Sequence, residues 1–538
     1  MFIRVQNAKK DGEGNIIGGS ASLVKSTYTN TGSSPTKQTL VERLGTIVFM
    51  PDRRSGIFLT PERGLVEYDL DSNVFSNVPS DDPRLEGRGL FPEPRIHTLF
   101  GDCDSVLSFM KSEGMVRILK NLAVNDDAMM ERMLCHMLHC ILRDGANITC
   151  DRFIERSFMS SIVRIPSSTL RTDSRFYQTL GTYELKLDFF RQFTALMRKH
   201  HPGFGKGCYV DSTPLSNDIS DFPLNRLCSH GTNTSSNQVR LVLILDIQTG
   251  LPVWFDLIPG NVLDLSTIMD VNERVSKALG IRIEDFVLDA GYVCRNVIEA
   301  YNLDDNPDKT LIARMPNKNG YNMEKLFQDS RNLFSNAKYS FVRKSHTYFG
   351  IRKEVEIFGK REYAYIYVDD ENASDYYKTY LSRHRDKYDA MSMKDKNRVR
   401  YEGGFFVLVS NVDTAPDRLL DLYYGRTEIE TVFLTAKEYL KLLPLNKQEE
   451  ETVRGKIMLD MMALIVYLQI RKRTVPTGRS VSDYIYDLQS VMSFRADKDT
   501  IKVEFVNKQA KAAYTLLSAV APSSITVTEY RKSLFLSV

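Results

Sequence analysis

Apolar residues follow three different rhythms along this 538-residue chain. Up to about residue 60 they fall in short alternating runs, Phe2–Val5, Ser22–Tyr28 and Gly45–Met50, separated by Gly, Asn and Ser turns. That pattern predicts strands, with KDGEGN and TNTGSSPTK as hairpin or loop tips. Residues 68–93, rich in Asp, Asn, Ser and Pro, read as linker. From about 96 to 201 the period changes to 3.6, and SVLSFMKSEGMVRILKNL, DDAMMERMLCHMLHCILRDG and YELKLDFFRQFTALMRKHHPG predict helices. The second begins at an Asp-rich cap and ends at Gly145, and the third stops at Pro202-Gly203.

Beyond Gly203 the pattern becomes one of apolar strands. GCYVDSTPL carries Asp211 into a polar turn, and VRLVLILDIQTGLPVWFDLIPGN forms a hairpin around Gln248-Thr249-Gly250, apolar enough to be buried centrally. Asp264 opens a helical stretch ending at Gly280, and a strand at Phe286–Leu288 presents Asp289 before Gly291 turns the chain into another helix. After the strand Thr310–Ile312, YSFVRKSHTYFGIRKEVEIFGKREYAYIYV alternates aromatic and basic residues at a strand period. LSRHRDKYDAMSMKDKNRVR then sets seven cations against three aspartates. GGFFVLVSN is a strand, DLYYGRTEIETVFLTAKEYLK (421–441) a helix, and 451–473 a buried helix. Asp460 interrupts its apolar window, which is too short to span a bilayer. Residues 474–538 open with Pro and Gly and read as a helix plus short strands near 500–506 and 525–529, with no task assigned.

Composition narrows the class. Hydrophobic content of 42% and 26% charged residues describe a globular chain with material for several cores, and the net charge of +3 means that any nucleic-acid surface must come from local clustering. Seven cysteines without CxxC pairs fit reduced thiols, and MFIRVQNAKK lacks the apolar core of a signal peptide, so the expected location is cytoplasmic with no membrane partner. Cys135, His136, His139 and Cys140 form two i,i+4 pairs on different helix faces and read as packed core, not a metal site. GFGKG (203–207) lacks the order of a P-loop.

The helix at 421–441 concentrates candidate chemistry. At about 100° per residue, Tyr423, Arg426, Glu430 and Lys437 fall at roughly 0°, −60°, −20° and −40°, on one narrow stripe. Glu428 falls at about 140° and points away. Ile429, Val432, Phe433, Ala436 and Leu440 supply an apolar flank to dock it. One acid, two cations and a phenol on a face suit a site handling a phosphate chain and a metal; a solvated face is the plain alternative.

Tyr423-x2-Arg426-x3-Glu430-x6-Lys437 resembles the Y-x2-R-x3-E-x6-K signature of bacterial insertion-sequence DDE transposases. The resemblance implies an α/β fold with an RNase H-like core, a mixed five-stranded sheet flanked by helices and interrupted by a β-rich insertion. It also implies that Asp211, Asp289 and Glu430 are the catalytic, metal-holding triad; PGN (259–261) and DAGY (289–292) are similar to family motifs too. The expected division is an N-terminal β-element (1–67), a helical DNA-end-binding domain (68–202), the core in two parts (203–314 and 403–473), the insertion (315–402) and a C-terminal segment (474–538). One departure is that the loop SHGTNTSSNQVR after the first aspartate keeps only Arg240, where relatives tend to be basic.

Cutting a phosphodiester needs a nucleophilic oxygen, a stabilised leaving oxygen and screened phosphate charge, which two divalent ions about 3.5–4 Å apart supply. Hard carboxylate ligands suit Mg²⁺ or Mn²⁺. The three acids lie 78 and 141 residues apart, so folding must bring them together. Arg426 would grip a phosphate bidentately, Lys437 as a point charge and Tyr423 through its hydroxyl, none of them touching the metals. Exposed insertion aromatics among Tyr348, Phe349, Tyr363, Tyr365 and Tyr367 would stack on unpaired bases. The expected function is a bacterial DNA transposase that cuts its element's inverted-repeat ends and joins the 3′-OH to target DNA, as a homodimer at the nucleoid. A nuclease without strand transfer, or an inert DNA-binding relic, are the alternatives.

Overall fold

The computed structural model describes the chain except residues 29–35, 61–62, 80–81, 86–95, 125, 144–146, 172, 220–221, 228–236, 263–266, 282, 290–292, 304–308, 317–320 and 536–538. Most of the TNTGSSPTK tip, Gly145, most of the SHGTNTSSNQVR loop, Asp264 and residues 290–292 of DAGY therefore lie outside the described residues. The chain divides into two compact units, Met1–Ile96 and His97–Val538.

In the first unit six antiparallel strands follow one another in sequence order: Phe2–Lys10, Ile16–Tyr28, Thr36–Phe49, Ser55–Thr60, Gly64–Asp69 and Val74–Asn77. The β-element thus runs past the boundary expected at 67 and takes in residues expected as linker. Tyr68 is buried against Phe75, and the polar stretch between them is a hairpin turn. Asp69 accepts from the Ser72 N–H (2.7 Å), and the Tyr68 hydroxyl donates to Asn73 (2.8 Å). Asp and Asn there bend the chain back and do not loosen it.

The second unit is built on a mixed sheet whose strands run, in spatial order, Pro252–Pro259, Asn237–Asp246, Gly207–Ser216, Asp285–Leu288, Thr310–Arg314, Phe405–Ser410, Lys360–Asp369, His346–Ile357 and Ser340–Arg343. The first three are antiparallel; Asp285–Leu288 is parallel to Gly207–Ser216, and Thr310–Arg314 to Asp285–Leu288. These five strands, with helices Thr267–Leu279 and Arg295–Ala300 in the connections, are an RNase H-like core.

The expected five-stranded sheet does not stop there. Lys360–Asp369 pairs with Phe405–Ser410, so the insertion's three strands continue the core sheet. Its cationic run forms two helices, Asp370–Asp389 and Met393–Tyr401. From Ala364 to Asp369 every residue is buried, which means that both faces of this strand are covered. Tyr348, Tyr365 and Tyr367 are buried, Tyr365 donating to the Val412 carbonyl (2.6 Å) and Tyr367 to that of Pro416 (2.7 Å). These three are therefore structural tyrosines, not the exposed base-stacking residues expected; Phe349 and Tyr363 are half-buried.

The helical region and the C-terminal segment form one layer. His97–Leu99 pairs with Met492–Arg495, followed by Thr500–Val503 and Ser524–Thr526, in a four-stranded sheet. Arg531 pairs with buried Glu131 at 3.0 Å, while Tyr514 and Tyr530 both donate to buried Asp104. The long helix Glu450–Thr474 runs through this layer, buried as expected around a Lys456–Asp460 pair. His136 stacks on Phe176 at 5.3 Å and His139 bonds Thr149, so both are core residues. The six described cysteines are free, and among the described residues no helix is long and apolar enough to cross a membrane.

Burial pushes the Asp104 carboxyl up to about 6, although the hydrogen bonds from Tyr530 and Tyr514 pull it down. A carboxyl whose pKa is higher in the fold than in the unfolded chain stabilises the fold while protonated. That contribution is full below about pH 4 and is lost as pH rises through 6. Asp104→Asn, neutral throughout, should therefore gain on the parent from pH 4.5 to 7.5, by roughly 3 kcal/mol at most. Urea midpoints measured across that range test this; a difference that stays flat with pH would contradict it.

Candidate active site

The two aspartates meet through strand register. Leu288 pairs with Val210 in the parallel ladder, so the next residue on each strand, Asp289 and Asp211, lies at the same height on neighbouring strands. In-register neighbours about 4.8 Å apart project to the same face. Asp211 ends an apolar run, Cys208–Val210, that holds the strand in the core, and its Oδ1 accepts the Ser212 N–H at 2.8 Å.

The stretch expected as one helix at 421–441 is divided. Pro416–Tyr424 is one helix, Thr427–Leu434 a second, and Thr435–Tyr439 a π turn. Across Gly425 and Arg426 the backbone tightens, with N–H bonds from Arg426 to Tyr423, from Glu428 to Gly425 and from Ile429 to Arg426, each spanning three residues. Such a turn eclipses residues i and i+3, and the Arg426 guanidinium accordingly lies over the Tyr423 ring, 5.7 Å from its centre. A Cβ on Gly425 would collide with the Tyr209 hydroxyl, so the tight turn lies close against that side chain because residue 425 has none of its own. Ile429, Val432, Phe433, Ala436 and Leu440 are all buried, as their spacing predicts.

Arg426 is the centre of the site. Its guanidinium lies 2.8 Å from Asp211, 3.1 Å from Glu430 and 4.0 Å from Asp289. The Tyr423 hydroxyl donates to Asp289 at 3.3 Å. Glu428 instead faces the other way and pairs with Arg471 at 3.1 Å. Arg426 is expected to grip a phosphate without needing to touch a metal; here the tight turn aims it at the three carboxylates, which it bridges. Lys437, carried by the π turn, donates to Thr213 Oγ1 (2.6 Å) and the Pro214 carbonyl (3.0 Å), which holds it to the strand beyond Asp211.

Charge and burial compete here. Burial pushes the Asp211 carboxyl up to about 6; Arg426 and the Ser212 N–H oppose that, while Asp289 and Glu430 add to it. Burial works against the Arg426 charge, yet Asp289, Tyr423, Asp211 and Glu430 together hold it above its ordinary value. The Tyr423 phenol is pushed up to about 12 by burial and by Asp289. Burial and neighbouring Arg240 lower Lys437. Three carboxylates gathered round one cation are a hard-oxygen donor set, which fits Mg²⁺ or Mn²⁺.

Sequence reasoning passed over two participants, Tyr209 and Arg471, and named Arg240 only as the cation kept by its loop. Arg240 lies opposite Pro214 and donates to the Ser212 hydroxyl (2.7 Å), beside Lys437; its alternation on an apolar strand was the available signal. Tyr209 and Arg471 carry no motif, and only their contacts show their place. Among the described residues the group whose donor atoms all lie within 4.8 Å of one another is not Asp211, Asp289 and Glu430 but His346, Asp369 and Glu371, and its donors are engaged within the fold. Asp369 caps the helix Asp370–Asp389 and binds His346, and Glu371 accepts the Thr347 N–H.

Sheet order, the two in-register aspartates and a third acid on a later helix define the class, an RNase H-like core. Residues 202–466 match the family described as Transposase DDE domain, and this segment is where the chain is similar to the DDE transposases. Among solved structures, the piggyBac transposase synaptic complex with hairpin DNA is similar at 8% identity and a TM-score of 0.38, over 80% of this chain and 85% of that one. No curated protein matches the chain in sequence.

Gly425→Ala should lower stability and disturb the site, because its new methyl collides with the Tyr209 hydroxyl. Overpacking of this kind costs about 1–3 kcal/mol. Gly425→Ala combined with Tyr209→Phe should recover part of the loss in urea midpoint; purely additive losses would show that the close approach is not the cause.

Proposed function

We propose that the chain is an insertion-sequence transposase that hydrolyses phosphodiester bonds at its element's inverted-repeat ends and transfers the resulting 3′-OH into target DNA. The observation that carries this reading is the convergence of Asp211, Asp289 and Glu430 on Arg426, with Glu428 turned away to Arg471. Asp211, Asp289 and Glu430 would hold two Mg²⁺ or Mn²⁺ ions. When bound, these would screen the phosphate and lower the pKa of an attacking water.

The remaining roles belong to the chain itself. Asp211, half-buried on its strand, fixes the depth at which the scissile phosphate sits. Arg426 offers that phosphate a planar pair of donors, and Tyr423 orients Asp289 while presenting its hydroxyl to the backbone. Lys437, anchored at Thr213 and Pro214, adds positive charge where the strand leaves the core. Two copies would be needed to hold two ends together, and the substrate would be DNA in a bacterial cytoplasm.

With a duplex carrying the element end and Mg²⁺, Asp211→Asn should abolish cutting while leaving binding nearly intact. Arg426→Ala and Lys437→Ala should each weaken binding and remove about one phosphate from its salt dependence. Equal loss of binding in all three would overturn this division of roles. Cleaved ends that never join a second DNA would reduce the activity to that of a nuclease.

A further inference from the structure

Away from the triad the helical layer carries a groove of about 710 Å³, lined by Lys111, Arg117, Lys199, Lys472 and Arg473. It opens where the C-terminal ends of the helices Gly101–Ser112, Tyr183–His200 and Glu450–Thr474 meet the first turn of Met115–Ala123. The one carboxylate in its lining, Glu113, is already paired with Arg473 at 2.9 Å. Five cations against one acid stand out in a chain whose entire net charge is +3. We infer that this groove binds the phosphate backbone of duplex DNA outside the active site, an inference that rests on the proposed DNA-cutting function.

Helix ends explain part of this charge, since cations in a last turn complement the helix dipole. That account covers Lys111, Lys199, Lys472 and Arg473. It fails for Arg117, the third residue of its helix, where the dipole disfavours a cation. Among the described residues Lys111, Arg117, Lys199 and Lys472 have no ion-pair partner, and all four are exposed. Charge placed against the dipole and left unpaired has its use in a ligand.

The lining also selects the kind of ligand. Its phenyl ring, Phe109, is buried, and the rings that reach solvent are the small imidazoles of His200 and His201, a narrower stacking surface than Phe, Tyr or Trp would give. Gln469, the one side-chain amide in the lining, is half-buried, so adenine is offered little and the polar reach of the groove is that of its cations. Long flexible cations round an open groove suit the backbone of a duplex, whatever its sequence.

The groove and the proposed active site are mechanically connected. Arg471, one residue before Lys472, holds Glu428, two residues before Glu430. Leu251, which also lines the groove, precedes Pro252, whose partner Leu245 is two residues from Leu243, the partner of Asp211. Strand spacings put this edge on the order of 15 Å from the Asp211 backbone, about four base pairs of duplex.

The test is charge reversal in the full chain, Lys199→Glu with Lys472→Glu, and Lys199→Arg with Lys472→Arg as the control that keeps the charge. Binding of a random-sequence 40-base-pair duplex is measured in EDTA from 50 to 200 mM salt, with circular dichroism to verify the fold. The reversed variant should show a slope of log affinity on log salt shallower by roughly two, and the arginine variant the parent's slope. An unchanged slope in a folded reversed variant would overturn the groove alone. A parent that binds no duplex would overturn the proposed function itself. Loss of polyglutamate binding with duplex affinity unchanged would assign the groove to an acidic protein and overturn the inference.

Discussion

Three carboxylates cannot share one corner of a protein without a counterweight. At an effective dielectric of about 20, two like charges 4 Å apart repel by about 4 kcal/mol, and here a third acid adds to the repulsion. Arg426 supplies the opposing charge, within 2.8 and 3.1 Å of Asp211 and Glu430 and 4.0 Å of Asp289. To do so it must leave the smooth helical path, which the tight turn at Gly425 accomplishes and Tyr209 closes from behind. The irregular backbone at this point follows from the charge it has to deliver. Even so the balance is incomplete, since burial still lifts Asp211 to about 6. A hard cation bound by the same oxygens would relieve that tension more fully than a guanidinium does.

The catalytic half of the fold was legible in the sequence because its signals are local. Unbroken apolar runs mark buried strands, and Asp211 and Asp289 each terminate one. The residues that dock the signature helix, from Ile429 to Leu440, follow helical spacing and are buried accordingly. The break at Gly425 was not legible, because a helical wheel assumes uniform turns, whereas a three-residue turn followed by a π turn redistributes the same residues. Arg426 therefore meets not only Glu430, which the wheel placed beside it, but also the two strand aspartates, which no wheel includes. Alternation of aromatic and basic residues in the insertion gave its strands correctly but not their burial. Pairing with Phe405–Ser410 and cover on both faces depend on contacts far away in sequence.

The same limit explains the two ends of the second unit. His97–Leu99 is three residues long and carries no pattern worth reading, yet it closes a sheet with Met492–Arg495, almost four hundred positions later. Buried polar groups then hold the joint: Asp104 takes hydrogen bonds from Tyr514 and Tyr530, and Glu131 is neutralised by Arg531. An unpaired buried charge is costly, so the helical layer requires the C-terminal segment to satisfy its acids.

That dependence bears on how the site is held. The helix Glu450–Thr474 belongs to this layer by its packing, yet its last turn holds Glu428 on the far face of the Glu430 helix. Near its other end Gly455 lets the same helix pack closely on Ser174–Leu180, since a Cβ there would collide with the Tyr177 carbonyl oxygen. The helix carrying Glu430 is thus gripped from both sides, by Arg426 toward the strands and by Arg471 toward the layer. A displacement of the helical layer would be felt at Glu428 before it reached Glu430. Ligand charge bound beside Lys472 and the geometry of the three acids consequently share one structural support.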